Sequence, residues 1–299
     1  MIQSHYGEIY ALITAVFLTI SAISFELAVK KVGSLSANFM RLIVGFILIS
    51  LYTTFSRGMF LPIDATAKAW IWLSASGIIG FVIGDLFLFQ AFIEIGSRIS
   101  MLIMALVPPI TAFLGFIIMR EMISFSDLIG MAITILGISL VVLVKNPEGK
   151  NFKFSHSIKG IVYASIGALG QALGLILSKI GMENYDPFAA SQIRIISGVI
   201  GFIIIFIYMK KWDKLKEAIK NIVAMKYITI GSLFGPFLGV SFSLLAIQYT
   251  TTGVASTIIS IIPVLIIPFS IFIFKEKISP KEVIGAIISV IGVSLLFVL

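Results

Sequence analysis

Apolar residues dominate this chain in runs of about twenty, and short segments between the runs carry most of the charged positions. A helix needs about 20 consecutive apolar residues to cross the hydrocarbon core of a bilayer, which is about 30 Å thick. The pattern predicts ten such helices, with expected bounds 8–30, 36–55, 69–91, 97–119, 124–145, 158–180, 187–209, 226–248, 252–274 and 279–299. No stretch long enough for a separate soluble domain remains between them.

The composition favours a membrane protein over a soluble one. Of the 299 residues, 59% are hydrophobic and 12% are charged, and the mean hydropathy is +1.12. Soluble domains carry about 25% charged residues. The first apolar run has full spanning length and no basic segment in front of it, so we interpret it as a retained helix and not as a cleaved signal. We therefore predict an all-α polytopic membrane protein with ten transmembrane helices.

The positive charge is spread over the loops between the spans, although the formal net charge is +8. Scattered charge favours a topology signal over a nucleic-acid surface, because cytoplasmic loops of membrane proteins are enriched in Lys and Arg. Most of the 22 lysines and arginines fall on one side of the predicted topology. We expect that side to be cytoplasmic, which places both termini outside, in a cell (cytoplasmic or inner) membrane.

An internal repeat runs through the sequence. The segment IMREMISFSDLIGMAITILGISL at 118–140 aligns with IFKEKISPKEVIGAIISVIGVSL at 273–295. The same shift maps Pro108 to Pro263. Farther upstream, after an adjustment of two residues in a loop, the alignment also maps Arg41 to Arg194 and Gly45 to Gly198. The pattern indicates a duplication in which each half carries five spans.

The duplication defines the expected domain organisation. We predict a first five-helix repeat over 1–145, a linker over 146–157 and a second five-helix repeat over 158–299. Because five is odd, the halves are expected to lie in the membrane with opposite orientations. Inverted repeats of this kind are typical of secondary transporters, whose substrate site lies near the middle of the bilayer between the halves.

Prolines interrupt matching spans of the two halves. Pro108 and Pro109 lie in the fourth predicted span, and Pro263 and Pro268 lie in the ninth. A proline inside a helix removes a hydrogen bond and costs roughly 3 kcal/mol. We interpret the four prolines as hinges beside a cavity, because interrupted spans at matching positions are typical of transporter binding sites. The alternative is a set of kinks that membrane helices tolerate without a ligand.

The duplicated ten-span pattern resembles one family in particular. The segments REMIS…G…G and KEKIS…G…G, together with Arg41 and Arg194 near the start of the second span of each half, are similar to the EamA-type branch of the drug/metabolite transporter superfamily. The resemblance covers essentially the whole chain. It implies a central cavity, with the fifth and tenth spans at the periphery. It also implies export or import of small metabolites, often amino acids, without ATP.

Asp85 is the first candidate for direct work on a substrate or coupling ion. It lies in GIIGFVIGDLFLFQ, and regular helical spacing places it on one face with Ile78, Phe81 and Phe89. An ionisable side chain in a bilayer faces a cavity or a partner, because its exposure to lipid is costly. Its repeat counterpart is Val240, so the fold itself does not require the charge. This favours proton coupling or binding of a substrate ammonium group; the alternative is neutralisation by a nearby cation.

Four further residues are candidates for substrate binding or coupling. Gln171, near the middle of the sixth span, can bond a substrate or a neighbouring helix. Glu26 is expected roughly 10 Å from the membrane midplane, either in a salt bridge with Arg41 or with a role in transport. Arg41 and Arg194 are expected near span ends on opposite sides of the membrane. Their presence in both halves favours a structural role, such as pairing with carboxylates or loop carbonyls.

No pattern points to an enzyme. His5 and His156 lie in predicted loops, the chain has no cysteine, and no glycine-rich phosphate loop occurs. We therefore expect no catalytic residue, no metal and no cofactor.

These observations predict a secondary active transporter that moves a small metabolite by alternating access. An amino acid or related compound is the expected substrate, export is the expected direction, and protons are a candidate coupling ion. The expected partners are the substrate and the lipid bilayer, without nucleic acid, and the chain is a monomer or a homodimer. Two alternatives stay open, a transporter of lipid-like or hydrophobic drug cargo and a non-transporting membrane scaffold.

Overall fold

Helices make up nearly all of the protein. The computed structural model describes residues 6–119, 125–145, 152–154, 156–250, 255 and 258–298. The α-helices are α1 (Tyr6–Val32), α2 (Ser34–Arg57), α3 (Ala67–Gly77), α4 (Asp85–Ile103), α5 (Val107–Met119), α6 (Phe125–Val142), α7 (Ile158–Met182), α8 (Pro187–Met209), α9 (Trp212–Lys220), α10 (Ile222–Ser232), α11 (Leu238–Tyr249), α12 (Ile262–Phe274) and α13 (Pro280–Val298). The predicted all-α class is confirmed. His5, the REMIS segment and most of 251–257 lie outside the described residues.

A short hairpin joins the two halves of the chain. Strand β1 (Leu143–Lys145) pairs antiparallel with β2 (Phe152–Phe154), and Val144 lies opposite Lys153. The fifth span was predicted to continue as helix through 145, and that bound is wrong, because α6 ends where β1 begins. The hairpin strands occupy the last residues of the predicted first repeat and part of the predicted linker.

Capping side chains set where several helices begin. Asp186 accepts a hydrogen bond from the backbone N–H of Ala189 at 2.8 Å, and Pro187 occupies the first turn of α8. Asn221 caps α10 in the same way through Ala224, at 3.0 Å. Asp and Asn satisfy N–H groups that have no partner inside the helix, and proline tolerates the first turn because its missing N–H is not needed there.

Six described helical segments are long and apolar enough to cross a membrane: Tyr6–Val32, Ser34–Arg57, Ala67–Ile118, Ile158–Met182, Pro187–Met209 and Ile222–Tyr249. Shorter apolar helices occupy Leu128–Val141 and Ile262–Phe274. The outer surface carries large apolar side chains, and Phe55, Tyr208 and Phe272 are 87, 88 and 82% exposed. A water-exposed surface of this kind would be unfavourable. The chain is therefore a multi-pass membrane protein whose outer side chains face lipid.

The longest of these segments is broken by a glycine. Ala67–Ile118 has 52 residues, about 78 Å at 1.5 Å per residue, which is more than twice the thickness of the hydrocarbon core. Gly96 lies inside α4 with φ 76° and ψ 164°, a conformation that is accessible to glycine and strained for other residues. The break lies between the third and fourth predicted spans.

Two π-helical turns lie at matching positions of the halves. The first covers Ile78–Gly84 and the second covers Leu233–Phe237, and the shift that maps Pro108 to Pro263 also relates their starting residues. A π-turn inserts one residue into the helical repeat. Ile78 is 44% exposed and lies outside the cavity wall described below, so the predicted shared face of Ile78 and Asp85 is wrong.

Small residues let α7 pack closely on the first π-turn. A Cβ added to Gly170 would lie 2.7 Å from the Cα of Gly84, and one added to Gly174 would lie 3.3 Å from the Cα of Gly80. Ser76 also donates a hydrogen bond to the carbonyl of Gly174 at 2.6 Å. Close backbone approach through small residues is the usual packing of membrane helices. This contact brings the middle of α7 beside the start of α4.

Candidate functional site

A cavity of about 230 Å³ lies between helices from both halves of the chain. Most of its wall is apolar, and aromatic rings of Phe25, Phe81, Phe89 and Phe92 form a large part of it. The polar side chains in the wall are Ser21, Arg41, Asp85, Gln171, Arg194, Ser243 and Ser260. Four of the five residues predicted for binding or coupling therefore meet at one place.

Arg41 and Asp85 form a buried ion pair in this wall. Arg41 Nη2 donates to Asp85 Oδ2, and the two residues are 4 and 5% exposed. Asp85 is the first residue of α4, and α2 presents Arg41 to it. The sequence left two alternatives for Asp85, a functional role or neutralisation by a nearby cation. The structure shows such a cation, Arg41, paired with Asp85.

Asn38 holds this pair in place and was missed from the sequence. Arg41 Nε donates to Asn38 Oδ1 at 2.8 Å, and Asn38 Nδ2 donates to the backbone carbonyl of Asp85 at 3.1 Å. Asn38 precedes Arg41 by three positions on α2, so both side chains lie on one helical face. That spacing was the available signal. The side chain fixes both the guanidinium and the start of α4.

Gln171 engages the second oxygen of the same carboxylate. Its Nε2 donates to Asp85 Oδ1 at 2.5 Å. The glycines of α7 allow its backbone to approach the first π-turn, so that the Gln171 amide reaches Asp85. Of the alternatives predicted for Gln171, the interhelical hydrogen bond is present. Both oxygens of Asp85 are therefore occupied by protein donors.

Arg194 reaches the same cavity from α8 but lacks such partners. The residue is 4% exposed, and its Nε has no hydrogen-bond acceptor within the described part of the chain. The guanidinium carbon lies 4.6 Å from the centroid of the Phe81 ring. A cation–π contact contributes about 0.5–2 kcal/mol. This is small beside the cost of removing a cation from water.

The predicted separation of Arg41 and Arg194 is wrong. They were expected near opposite sides of the membrane, yet both guanidinium groups contact the Phe81 ring, at 5.5 and 4.6 Å from its centroid. Helices α2 and α8 pack side by side, and a Cβ on Gly198 would lie 2.8 Å from Leu42 Cδ1. This close packing brings the matching arginines of the two halves together.

Glu26 lies outside the cavity wall, beside the break at Gly96. It is fully buried, accepts a hydrogen bond from the backbone N–H of Ser97 at 2.7 Å, and pairs with Lys30 at 2.5 Å. The proposed salt bridge with Arg41 is not formed, because Arg41 pairs with Asp85 instead. Glu26 thus satisfies a backbone donor that the non-helical glycine leaves free.

The KEKIS motif supplies a second anchor next to this break. Arg98 Nε donates to Glu276 Oε2 at 2.8 Å, and Arg98 Nη1 lies 3.2 Å from Glu282 Oε2. Glu276 belongs to the segment between α12 and α13. The repeat motif therefore connects the last part of the second half to the helix break at Gly96 in the first half. Sequence reasoning identified the motif but not this contact.

Two of the four predicted prolines, Pro108 and Pro263, line the cavity. Pro108 lies near the middle of its predicted span, just after the 3-10 turn Met104–Leu106, and Pro263 is the second residue of α12. At both positions regular α-helical hydrogen bonding is already interrupted, so the proline removes fewer helical hydrogen bonds than in a continuous helix. Pro109 is buried outside the cavity wall. Pro268 lies inside α12 and is exposed, so it does not face the cavity.

Pro236 is a cavity residue that sequence reasoning missed. It lies in the second π-turn and lines the cavity together with Gly235. Gly235 is the repeat counterpart of Gly80, so the alignment places Pro236 opposite Phe81, the ring that both arginines contact. Extending the repeat comparison by one residue would have identified it.

A polar cluster outside the cavity fastens the loops after α2 and α7. Arg57 Nη2 lies 2.6 Å from Asp64 Oδ2, and the Tyr185 hydroxyl donates to Asp64 Oδ1 at 2.8 Å. Burial, followed by the hydrogen bond to Asp64, raises the pKa of Tyr185 to about 12. The hydroxyl therefore remains protonated at neutral pH and keeps donating to Asp64.

Within the described residues, no group of three or more His, Cys, Asp or Glu side chains could hold a metal ion. The arrangement in the cavity is instead suited to ionic and polar recognition of a small solute, through arginine, amide and hydroxyl groups in an apolar wall.

Comparison with known proteins gives consistent matches. The model of the EamA-like transporter family matches residues 5–143 and again residues 158–298. An uncharacterized transporter of Clostridium kluyveri is 24% identical over 290 residues, which covers 96% of this chain and 91% of that protein. An uncharacterized transporter of Archaeoglobus fulgidus is 22% identical over 219 residues, 73% of this chain and 74% of that protein. A protein of known crystal structure, 13% identical, aligns over 98% of this chain and 96% of its own with a TM-score of 0.63.

Proposed function

Since the chain belongs to the EamA-like transporter family, we propose that it is a secondary active transporter of a small metabolite, an amino acid or a related compound. The observation that carries this proposal is the cavity whose apolar wall contains two arginines, one aspartate and one glutamine. Export is the proposed direction. The proposed location is the cytoplasmic membrane, with both termini outside.

We further propose ten transmembrane helices in two inverted five-helix repeats, 1–145 and 158–299, joined by the linker 146–157. The matched π-turns support this proposal, because they begin at positions related by the repeat shift. The pairing of α6 with α13 also supports it. These helices contact each other much more extensively than either contacts the rest of the chain, as expected of peripheral fifth and tenth spans.

Alternating access would use the helix breaks that surround the cavity. Pro108 and Pro263 begin helices in its wall, and Pro236 lies in the second π-turn. At each of these positions the regular α-helical hydrogen bonding is already interrupted. Bending there breaks fewer bonds than bending a continuous helix. The proposal assigns the hinges to these three positions, and not to Pro109 or Pro268.

The cavity favours a small metabolite over the two alternatives. Its volume of about 230 Å³ is below the roughly 300–1,000 Å³ typical of sites for drug-sized ligands. Lipid-like or hydrophobic drug cargo would also gain nothing from Arg194. A passive scaffold would carry the cost of this buried charge without benefit.

Asp85 is the proposed coupling residue. Protonation would remove its negative charge and release Arg41 from the ion pair, so that proton binding changes the charge of the cavity. Protons are therefore the proposed coupling ion. Residues of one chain line the cavity, so a monomer and each subunit of a homodimer would both hold this site.

The test is flux into proteoliposomes that contain the purified protein, with labelled amino acids and other small metabolites, run with and without a pH gradient. Gradient-driven flux that is lost in Asp85→Asn supports coupled transport. Arg57→Gln, which alters a half-buried arginine outside the cavity, is the matched control and should keep its flux. If the protein is folded and none of the labelled compounds shows flux, the proposal is contradicted. Flux that is unchanged in Asp85→Asn would rule out the coupling role assigned to Asp85.

A further inference from the structure

We infer that the cavity binds a solute bearing a single carboxylate, and that Arg194 is the group that holds it. This inference deepens the proposed function and rests on it. Its starting point is an arginine that is 96% buried, lines the cavity and leaves its Nε without an acceptor among the described residues.

The Nε–H of Arg194, which has no acceptor among the described residues, points to an anion. Arginine carries five N–H donors in a planar fork and stays protonated in proteins. A buried cation is costly unless it is paired and hydrogen-bonded. Arg41 meets this requirement through Asp85 and Asn38, whereas Arg194 has the face of Phe81. A planar carboxylate entering the cavity would supply the missing acceptors, through two parallel hydrogen bonds.

The charge balance favours a single carboxylate over a dianionic group. Arg41 and Asp85 cancel each other, so that Arg194 leaves the wall with one net positive charge. A carboxylate neutralises it. A phosphate monoester carries up to two negative charges at pH 7 and would leave an excess negative charge in an apolar enclosure, which is costly.

The one carboxylate among the described wall residues is already engaged by the protein. Both oxygens of Asp85 already accept hydrogen bonds, one from Arg41 and one from Gln171. The ammonium hypothesis drawn from the sequence therefore gives way to recognition of the carboxylate. The rest of the solute faces apolar side chains, among them Phe25, Met101 and Met104. A compact organic acid with an apolar body fits this wall, with or without an amino group.

The experiment measures binding to the purified full-length protein through ligand-dependent thermal stabilisation. The probes are matched pairs, leucine with leucinamide and phenylacetate with phenylacetamide, plus phenyl phosphate as the dianion. The amide of each pair keeps the shape and loses the negative charge. We expect a carboxylate to bind about tenfold to a hundredfold more tightly than its amide, the range for hydrogen bonds to charged groups.

Substitution then assigns the effect to one residue. Arg194→Gln should abolish the preference for the carboxylate over the amide. Arg194→Lys should keep part of it, because the charge remains and the planar fork is lost. Arg57→Gln should retain it fully. If Arg194→Gln does not fold, the probe pairs on the wild-type protein still decide whether the cavity selects a carboxylate.

The outcomes separate this inference from the proposed function. Equal binding of acid and amide, tighter binding of phenyl phosphate, or an unchanged preference in folded Arg194→Gln would overturn it. Flux without charge selectivity would leave transport intact and overturn the carboxylate site alone. Carboxylate-selective binding with no flux of any probe would support the site and contradict transport.

Discussion

Arg41 and Arg194 occupy matching positions in the two halves of the chain, have the same exposure of 4%, and contact the same aromatic ring. Arg41 is held by Asp85 and Asn38, while the Nε–H of Arg194 has no acceptor within the described residues. The difference follows from two positions, because the repeat counterpart of Asp85 is Val240 and that of Asn38 is Ser191. Equal burial can therefore accompany opposite roles.

The comparison separates a charged group that is paired within the protein from one that has no such partner among the described residues. A buried pair with satisfied hydrogen bonds is strongly destabilised when one partner is removed. A buried charge without a partner lowers stability in the absence of ligand. Substitution at the two arginines should therefore change the free energy of unfolding in opposite directions.

The largest change in stability is expected at the ion pair of Arg41 and Asp85. Asp85→Ala leaves Arg41 buried without its carboxylate and should lower the free energy of unfolding by about 3–5 kcal/mol. The measurement is unfolding of the detergent-solubilised protein. The double variant Arg41→Met with Asp85→Leu is the control and should recover most of the loss, because both charges are then gone. Wild-type stability in Asp85→Ala would show that the pair contributes nothing.

The second-largest loss of stability is expected at Gln171, whose amide bonds Asp85. Gln171→Leu removes a hydrogen bond to a charged acceptor and should cost about 1.5–3 kcal/mol. The matched control is Gln248→Leu, because Gln248 is exposed and bonds a loop carbonyl at 3.0 Å. An equal loss in both variants would mean that the contact with Asp85 has no special importance.

Substitution of Arg194 should instead increase the free energy of unfolding. Arg194→Met removes a buried charge that has no ion-pair partner among the described residues while keeping most of the volume, and it should raise the free energy of unfolding by at least about 1 kcal/mol. The same unfolding assay measures it, beside Arg41→Met, which should be destabilised. Destabilisation of both variants would indicate that Arg194 has an acceptor after all.

The smallest stability effect is expected at the cavity prolines. Pro108→Ala and Pro263→Ala should each change the free energy of unfolding by less than about 1 kcal/mol, since regular α-helical hydrogen bonding is already interrupted at both positions. Turnover in proteoliposomes should slow more than binding weakens. Pro268→Ala, in the exposed helix interior, is the control whose turnover should not change. Unchanged turnover in the first two variants would remove the hinge role.

The sequence predicted the fold class well because lipid imposes a simple requirement. Every span must be long, apolar and helical, so composition and run length identify the spans directly. The break at Gly96 and the end of α6 were less accessible. Gly96 needed knowledge of its φ angle, and the β1–β2 hairpin depends on pairing between residues on either side of the linker.

The site was predictable as a set of residues but not as an arrangement. Asp85 and Gln171 stood out because polar side chains are rare in the middle of spans, and both line the cavity. The meeting of Arg41 with Arg194 could not be derived, because it depends on how α2 packs on α8. The face of Asp85 was misjudged for a local reason, since the π-turn changes the helical register just before it.

The divergence of the two arginines also bears on how such a protein can arise. In a symmetric dimer of one half-length chain, both copies of an arginine would have the same neighbours, and both would be paired or both unpaired. Fusing the halves into one chain allows Asp85 to stand opposite Val240. Arg41 can then be paired within the protein, while Arg194 has no acceptor for its Nε among the described residues. Duplication followed by changes at two positions, Asp85 against Val240 and Asn38 against Ser191, is enough to give the two arginines different surroundings.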